Sequence, residues 1–304
     1  MKIKRKVILH GPSTLTVSLP SKWVKGNNIK KGDEINVEEA GAMLKIYSGE
    51  ANLLTKKTSI DVSNLDSQSI RIMITVLHKS GYDEIEVKFK DAGTVKVIQE
   101  RINSRLIGYE IIEQKGNYCV LKNVAGDNLP ELNTLIRRSF LVALSMANNS
   151  LEEVKNSDMK KLKELLVLEK TNNKIVNYCQ RLLNKKPYKD EKTVFTYLII
   201  WLIESICDDY RDLINVILNQ PKFKISPVAL RLYAEINNLF SDYYNFYYKY
   251  SDKQFEIMQH KIIELKQALN KTKFSNQEIA FRPYFFSIIN RLFDALGSTV
   301  GLHH

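Results

Sequence analysis

The hydrophobic period of this chain changes once, and that change limits the folds open to it. Up to about residue 122, short apolar runs alternate with polar residues and are broken by turn residues, as in half-buried strands with a few helices between them. From Leu129 onward strand signals almost vanish, and apolar residues recur every three or four positions. A chain of 304 residues divided in this way is expected to be an α+β protein of two or three domains. The boundaries read as 1–50, 51–126 and 127–304.

The first segment is basic. Residues 1–32 carry Lys2, Lys4, Arg5, Lys6, Lys22, Lys25, Lys30 and Lys31 and no acidic side chain, within a whole-chain net charge of +11. A positive field concentrated on one compact, strand-rich end suits a phosphate backbone better than charge spread over a whole surface. Leu15, Val17 and Leu19 alternate with Thr14, Thr16 and Ser18, which is strand period. Pro20 presets a first helical turn, Ser21 to Lys25 supply a short helix, and Asn27-Asn28 offer a left-handed stop. Gly32-Asp33 and Ala40-Gly41 then turn the chain into strands at Ile35–Val37 and Leu44–Ile46. About fifty residues with this little apolar material cannot bury a core alone, so an obligate dimer is expected, with Leu15, Val17, Leu19, Ile35, Val37, Leu44 and Ile46 lining a core shared by two chains.

Lys6 to Ile46 resembles the AbrB/SpoVT swapped-hairpin domain through Gly11-Pro12-Ser13-Thr14, Val17-Ser18-Leu19-Pro20, Trp23 and Gly32-Asp33-Glu34. The resemblance implies that two chains interleave hairpins into one β-barrel that binds DNA. The residues assigned to DNA contact are Lys2, Lys4, Arg5, Lys6, Ser13, Thr14, Lys22 and Lys25. A barrel that only dimerises, its lysines merely solvated, is the alternative.

Beyond a polar Thr/Ser/Asn/Asp-rich stretch, the order of signals is βαβαββ. Strands are expected near Thr58 to Val62, Glu84 to Phe89, Tyr109 to Glu113 and Tyr118 to Lys122, with helices from Ser67 to His78 and Val95 to Leu106 that Gly81 and Gly108 close. This describes a small open-faced sandwich with helices on one side of a sheet, read as a spacer or ligand domain.

The remainder reads as six helices, near 129–154, 159–183, 193–218, 227–250, 252–269 and 276–302, or two consecutive three-helix bundles. The third helix of each set carries the most informative residues: Leu198 through Glu204 and Asp208 to Tyr210 in the first, and Phe286 through Asn290, Arg291 and Asp294 in the second. Both resemble the L-E-R-x-x-D signature that closes each repeat of PhoU proteins, regulators of phosphate uptake. Ser205 stands where the arginine is expected in one, and Asn290 where the glutamate is expected in the other. Glu169 to Asn184 is similar to the second helix of the archaeal PhoU group, whose members often carry an AbrB-like domain in front. In that family these carboxylates hold iron or zinc clusters. Carboxylates at i and i+4 share a helix face and can reach one cation. Here the carried-over ligands are Glu204, Asp208 and Asp294, with neutral Asn290 in the fourth place, so the expectation is no cofactor beyond a weakly held divalent metal. An ion-pair face joining Asp208 to Arg211 is the alternative reading.

Catalysis finds little support. There is no G-x-S-x-G, P-loop or G-x-G-x-x-G motif, and Cys119, Cys179 and Cys207 lack metal spacing and sit in apolar surroundings, as in a reduced, cytoplasmic protein. A charged N-terminus without an apolar core argues against a signal peptide, and the longest apolar run, Tyr197 to Ile203, is too short to span a bilayer. In the helix around Tyr233 to Tyr250, Tyr233, Phe240, Tyr244 and Tyr247 fall at helical steps, a stripe facing a core. Together these features describe a homodimeric, DNA-binding transcriptional regulator of phosphate metabolism with a sensing or docking helical domain. The alternative is a PhoU-type adaptor acting on a phosphate transporter or signalling protein.

Overall fold

The computed structural model describes residues 3–40, 43–48, 55–185, 191–220 and 223–304. The chain divides into two compact units, Met1–Leu54 and Thr55–His304. The architecture is mixed: a small β-rich N-terminal region and a C-terminal helical bundle. Among the described residues no helix is long and apolar enough to cross a membrane.

In the first unit β1 (Val7–His10) pairs antiparallel with β2 (Thr14–Val17), α1 (Ser21–Gly26) follows, and β3 (Ile35–Ala40) pairs antiparallel with β4 (Met43–Ser48). The Asn28 stop and the Gly32 turn fall where the sequence predicts them, while Gly41 of the predicted Ala40-Gly41 turn lies outside the described residues. Gly11 and Gly32 adopt φ of 73° and 97°, and Asn28, at 55°, stops the helix in the left-handed region. Each hairpin forms its own two-stranded sheet, so a single chain closes no barrel among the described residues.

The second unit opens with a four-stranded sheet of order β5-β6-β8-β7, built from β5 (Lys57–Asp61), β6 (Glu84–Lys88), β7 (Tyr109–Lys115) and β8 (Tyr118–Asn123). β5 and β6 are parallel, as a helical crossover requires, whereas β8 runs antiparallel to both neighbours. The crossover helix α2 (Ser67–Lys79) starts at Asp66, whose carboxylate accepts from Gln68 N at 2.8 Å and Ser69 N at 3.0 Å. α3 (Gly93–Arg105) packs beside it. Ile70, Ile74, Ile98 and Ile102 meet the alternate strand residues Ile85, Val87, Cys119 and Leu121 in one core.

Among the described residues seven helices follow: α4 (Leu132–Asn156), α5 (Met159–Glu164), α6 (Leu166–Lys185), α7 (Glu191–Leu218), α8 (Pro227–Tyr248), α9 (Asp252–Lys271) and α10 (Arg282–His303). Their boundaries follow local chemistry. Ser226 and Ser251 cap α8 and α9, Pro227 opens α8, and Ser157 ends α4 with φ of 57°. The helix expected over 159–183 is broken at Leu165, where Leu168 N bonds Leu165 O at 2.9 Å in a tightened turn; no glycine or proline announces it. The last helix begins at Arg282 rather than near 276, because a 3-10 turn at Ile279–Phe281 precedes Pro283.

α4, α6 and α7 pack on one another, as do α8, α9 and α10, and the two sets meet along α7 and α10 and between α4 and α8. Buried polar contacts fix the register between them. Ser150 Oγ lies 2.6 Å from Tyr233 Oη, Tyr210 Oη donates to Asn237 Oδ1 at 2.7 Å, and Asn237 Nδ2 donates to Ala147 O at 2.7 Å. The aromatic stripe of α8 differs in part from expectation. Tyr233 and Phe240 are buried as predicted, but Tyr243 and Phe246 are buried with them, while Tyr244 and Tyr247 are only partly so. A helix broader in its apolar arc than a single stripe fits its position between two helix sets.

Candidate functional site

Each hairpin of the first unit gathers apolar side chains on one of its faces. Cross-strand pairs Val7↔Val17 and Leu9↔Leu15 place four apolar side chains on one face of the first hairpin; Val37↔Ile46 does the same in the second. In the single chain all of these but Ile46 are open to solvent, with Val7 65%, Leu9 63% and Leu15 67% exposed, and Leu44 of β4 is 64% exposed as well. Leu19, Ile35 and Ile46 are half-buried. Of the residues predicted to line a core, one chain therefore fully buries none.

The basic residues lie around these hairpins. Lys4, Arg5 and Lys6 are exposed in the segment entering β1, and Lys22 and Lys25 are exposed on α1. The register Val7↔Val17 sets Lys6 at the open end of the first hairpin, the end from which the chain runs on to α1. Ser13 and Thr14 sit at its closed end, about 13 Å away for four residues at roughly 3.3 Å each. The predicted DNA-contact set is thus drawn from both ends of the hairpin. Lys2 lies outside the described residues.

Of the predicted metal ligands, Glu204 and Asp208 are neighbours and Asp294 is not with them. Glu204 and Asp208 share a face of α7, but that face looks toward Lys79 of α2, Arg105 of α3 and Glu169 of α6. Glu169 is almost fully buried and accepts from Arg105 Nη2 at 3.0 Å and from Arg211 Nη1 at 3.1 Å. Arg211 Nη1 also donates to Asp208 Oδ1. Burial pushes the Asp208 carboxyl up to about 7, with Glu204 adding to the shift and Arg211 opposing it; burial raises Glu204 as well, against Lys79. Asp294 is elsewhere, on a cleft beside Phe293 and Trp201. It is Asp209, one residue and about 100° further round α7, that meets the other helix set, accepting from Arg291 Nε at 2.7 Å. Among the described residues no three His, Cys, Asp or Glu side chains are placed to hold a metal ion. Glu204 and Asp208 thus face the ion-paired groups of α2, α3 and α6, whereas Asp294 borders a separate cleft.

Sequence reasoning missed a third charged group. Arg181 of α6 is fully buried, and its Nε and Nη2 donate to Asp127 at 2.7 and 3.0 Å. The same guanidinium donates to Asp83 Oδ1 and to the carbonyls of His78 and Tyr82. Lys185 Nζ bridges Asp83 at 2.6 Å and Asp127 at 2.9 Å. These groups clamp α6 to the sheet-and-helix part of the unit, and Gly81, at φ of 82°, lets the Lys185 stem approach where a Cβ would clash at 2.5 Å. The signal available was a lone arginine inside the run Tyr178 to Leu183.

By fold, this is a two-unit protein that joins a basic double hairpin to a helical bundle. A family model described as "Antidote-toxin recognition MazE, bacterial antitoxin" matches residues 10–52, so the N-terminal segment carries a MazE/AbrB-like domain. No curated protein and no solved structure matches the chain.

Proposed function

We propose that the chain is a homodimeric, cytoplasmic, non-enzymatic DNA-binding regulator. Two first units interleave their hairpins into one barrel that presents the basic residues to a phosphate backbone. The observation that carries this reading is the exposed apolar set Val7, Ile8, Leu9, Leu15, Val17, Val37 and Leu44 in a unit without buried side chains among its described residues. Full burial is worth about 1.5–3 kcal/mol for each such side chain, and a second copy of the same hairpins is the surface that matches them. The similarity of residues 10–52 to an antitoxin recognition domain supports the same assignment. Lys4, Arg5, Lys6, Lys22 and Lys25 then supply the positive field, with Ser13 and Thr14 as polar contacts at the hairpin tip.

The helical bundle is read as the sensing or docking part of the regulator. The PhoU-like reading of the bundle, and with it a role in phosphate metabolism, rests on the resemblance of α7 and α10 to the L-E-R-x-x-D signature; the packing of two helix sets along α7 and α10 is compatible with it but carries no function of its own. Thiols raised by burial, Cys119 to about 11 and Cys179 to about 12, are poor nucleophiles and fit a non-catalytic assignment.

The experiment is a salt titration of DNA affinity with the full chain. The logarithm of affinity should fall linearly with the logarithm of salt concentration. Each Lys→Ala change at Lys4, Lys6, Lys22 or Lys25 should reduce the slope by roughly 0.9. A slope unchanged when Lys2, Lys4, Arg5, Lys6, Lys22 and Lys25 are all replaced removes the DNA reading and favours an adaptor whose barrel only dimerises.

A further inference from the structure

The second unit contains a cleft that neither its packing nor its charge pairing accounts for. It opens between α2, α6 and α7, measures about 650 Å³, and is lined by Lys79, Gln180, Tyr197, Val194, Leu198 and Trp201, among others. That volume is within the range of small-molecule sites.

Three features of its wall point to an occupant. Gln180 is fully buried, and both its amide nitrogen and its amide oxygen lack a hydrogen-bond partner, an arrangement proteins rarely leave in place. Lys79 is half-buried, yet its ammonium forms no ion pair among the described residues; Glu204 attracts it only from beyond contact distance. Val194 (65%), Leu198 (38%) and Trp201 (44%) present apolar surface to solvent on α7, a helix whose other face is solidly buried. The wall itself is braced, since Asn184 Nδ2 donates to Lys79 O at 2.8 Å and Asn184 also bonds Tyr197.

We propose that this cleft binds an amphipathic organic anion, its aromatic or hydrocarbon body lying on Val194, Leu198 and Trp201 and its acidic group reaching Lys79. The polarity follows from the neighbours. Leu198 and Trp201 also border a second cleft, of about 490 Å³, that carries Asp294 and Phe293. A ligand seated on Trp201 therefore has a carboxylate at one end and an ammonium at the other, and an anionic head turns toward Lys79. A polar group near that head would also give the Gln180 amide the partner it lacks. The inference goes beyond the DNA-binding reading and does not depend on it.

Trp201 reports on its own site. The other tryptophan is Trp23, in the first unit, so W23F leaves Trp201 as the sole indole. In the full-length W23F chain, 8-anilinonaphthalene-1-sulfonate should quench Trp201 saturably with one site per chain. K79M should weaken that binding about tenfold or more, K79R should largely preserve it, and the neutral analogue N-phenyl-1-naphthylamine should respond to K79M by less than about twofold. L198D should weaken both probes. Absence of saturable quenching, or a K79M effect that is absent or equal for the charged and neutral probes, overturns the proposal.

Discussion

Leu15 and Leu182 both sit at periodic apolar positions, one on a strand and one on a helix, yet the first is 67% exposed and the second fully buried. The two regions they represent differ in the same way throughout. In the helical unit Ile203, Tyr210, Phe240 and Leu292 are all sealed by their own chain, and Tyr210, Tyr233 and Asn237 find partners in the interior. In the N-terminal unit no described apolar strand residue is fully buried. Periodicity states which side chains require burial; whether one chain supplies the covering surface depends on how many layers that segment can build. Two isolated hairpins build one layer each, and a second copy is the simplest cover.

The contrast can be broken first at its strongest point. Arg181→Ala leaves Asp83 and Asp127 with Lys185 as their one ion-pair partner among the described residues, and should cost about 3–5 kcal/mol in urea unfolding of the second unit, with the dimer constant unchanged. A change under about 1 kcal/mol would show that the clamp is peripheral. Leu15→Ala is the complementary test. A side chain exposed in the working protein should tolerate it within about 0.5 kcal/mol, whereas one packed between two chains should lose about 2–3 kcal/mol, read as weaker dimerisation.

A smaller effect is expected from pH. Asp208 has a folded-state pKa of about 7, raised by burial from 3.8, so its neutral form is the one the fold prefers. Stability from this group is present at low pH and declines as pH rises from about 4 through about 7. Asp208→Asn, which mimics the neutral form, should therefore gain in Tm relative to the parent between about pH 5 and pH 8, by a few degrees at most, since Arg211 offsets part of the burial. An offset that shrinks toward the alkaline end of that range would mean that the Arg211 pair dominates.

Much of the element order was legible. Gly81 and Gly108 as stops, Pro227 as a first helical residue and the alternation through Ile85 and Val87 are local signals, and the elements they mark formed where expected. The site was less legible because charge pairing is not local. Glu169 meets Arg105 from 64 residues away, and Arg181 meets Asp83 from 98. Asp208 and Asp209 look interchangeable in sequence, but one residue of helix rotation sends the first to Arg211 and the second to Arg291. The break at Leu165 left no trace in composition either.

The central claim is that the first unit obtains its core from a second copy. Sedimentation equilibrium of the full chain over a wide concentration range, with amide hydrogen exchange followed at 7–17 and 35–48, tests it most directly. The account predicts a species of about twice 35.2 kDa, with both hairpins protected while the dimer persists and unprotected once dilution dissociates it. A monomer at every concentration with both hairpins strongly protected would contradict it.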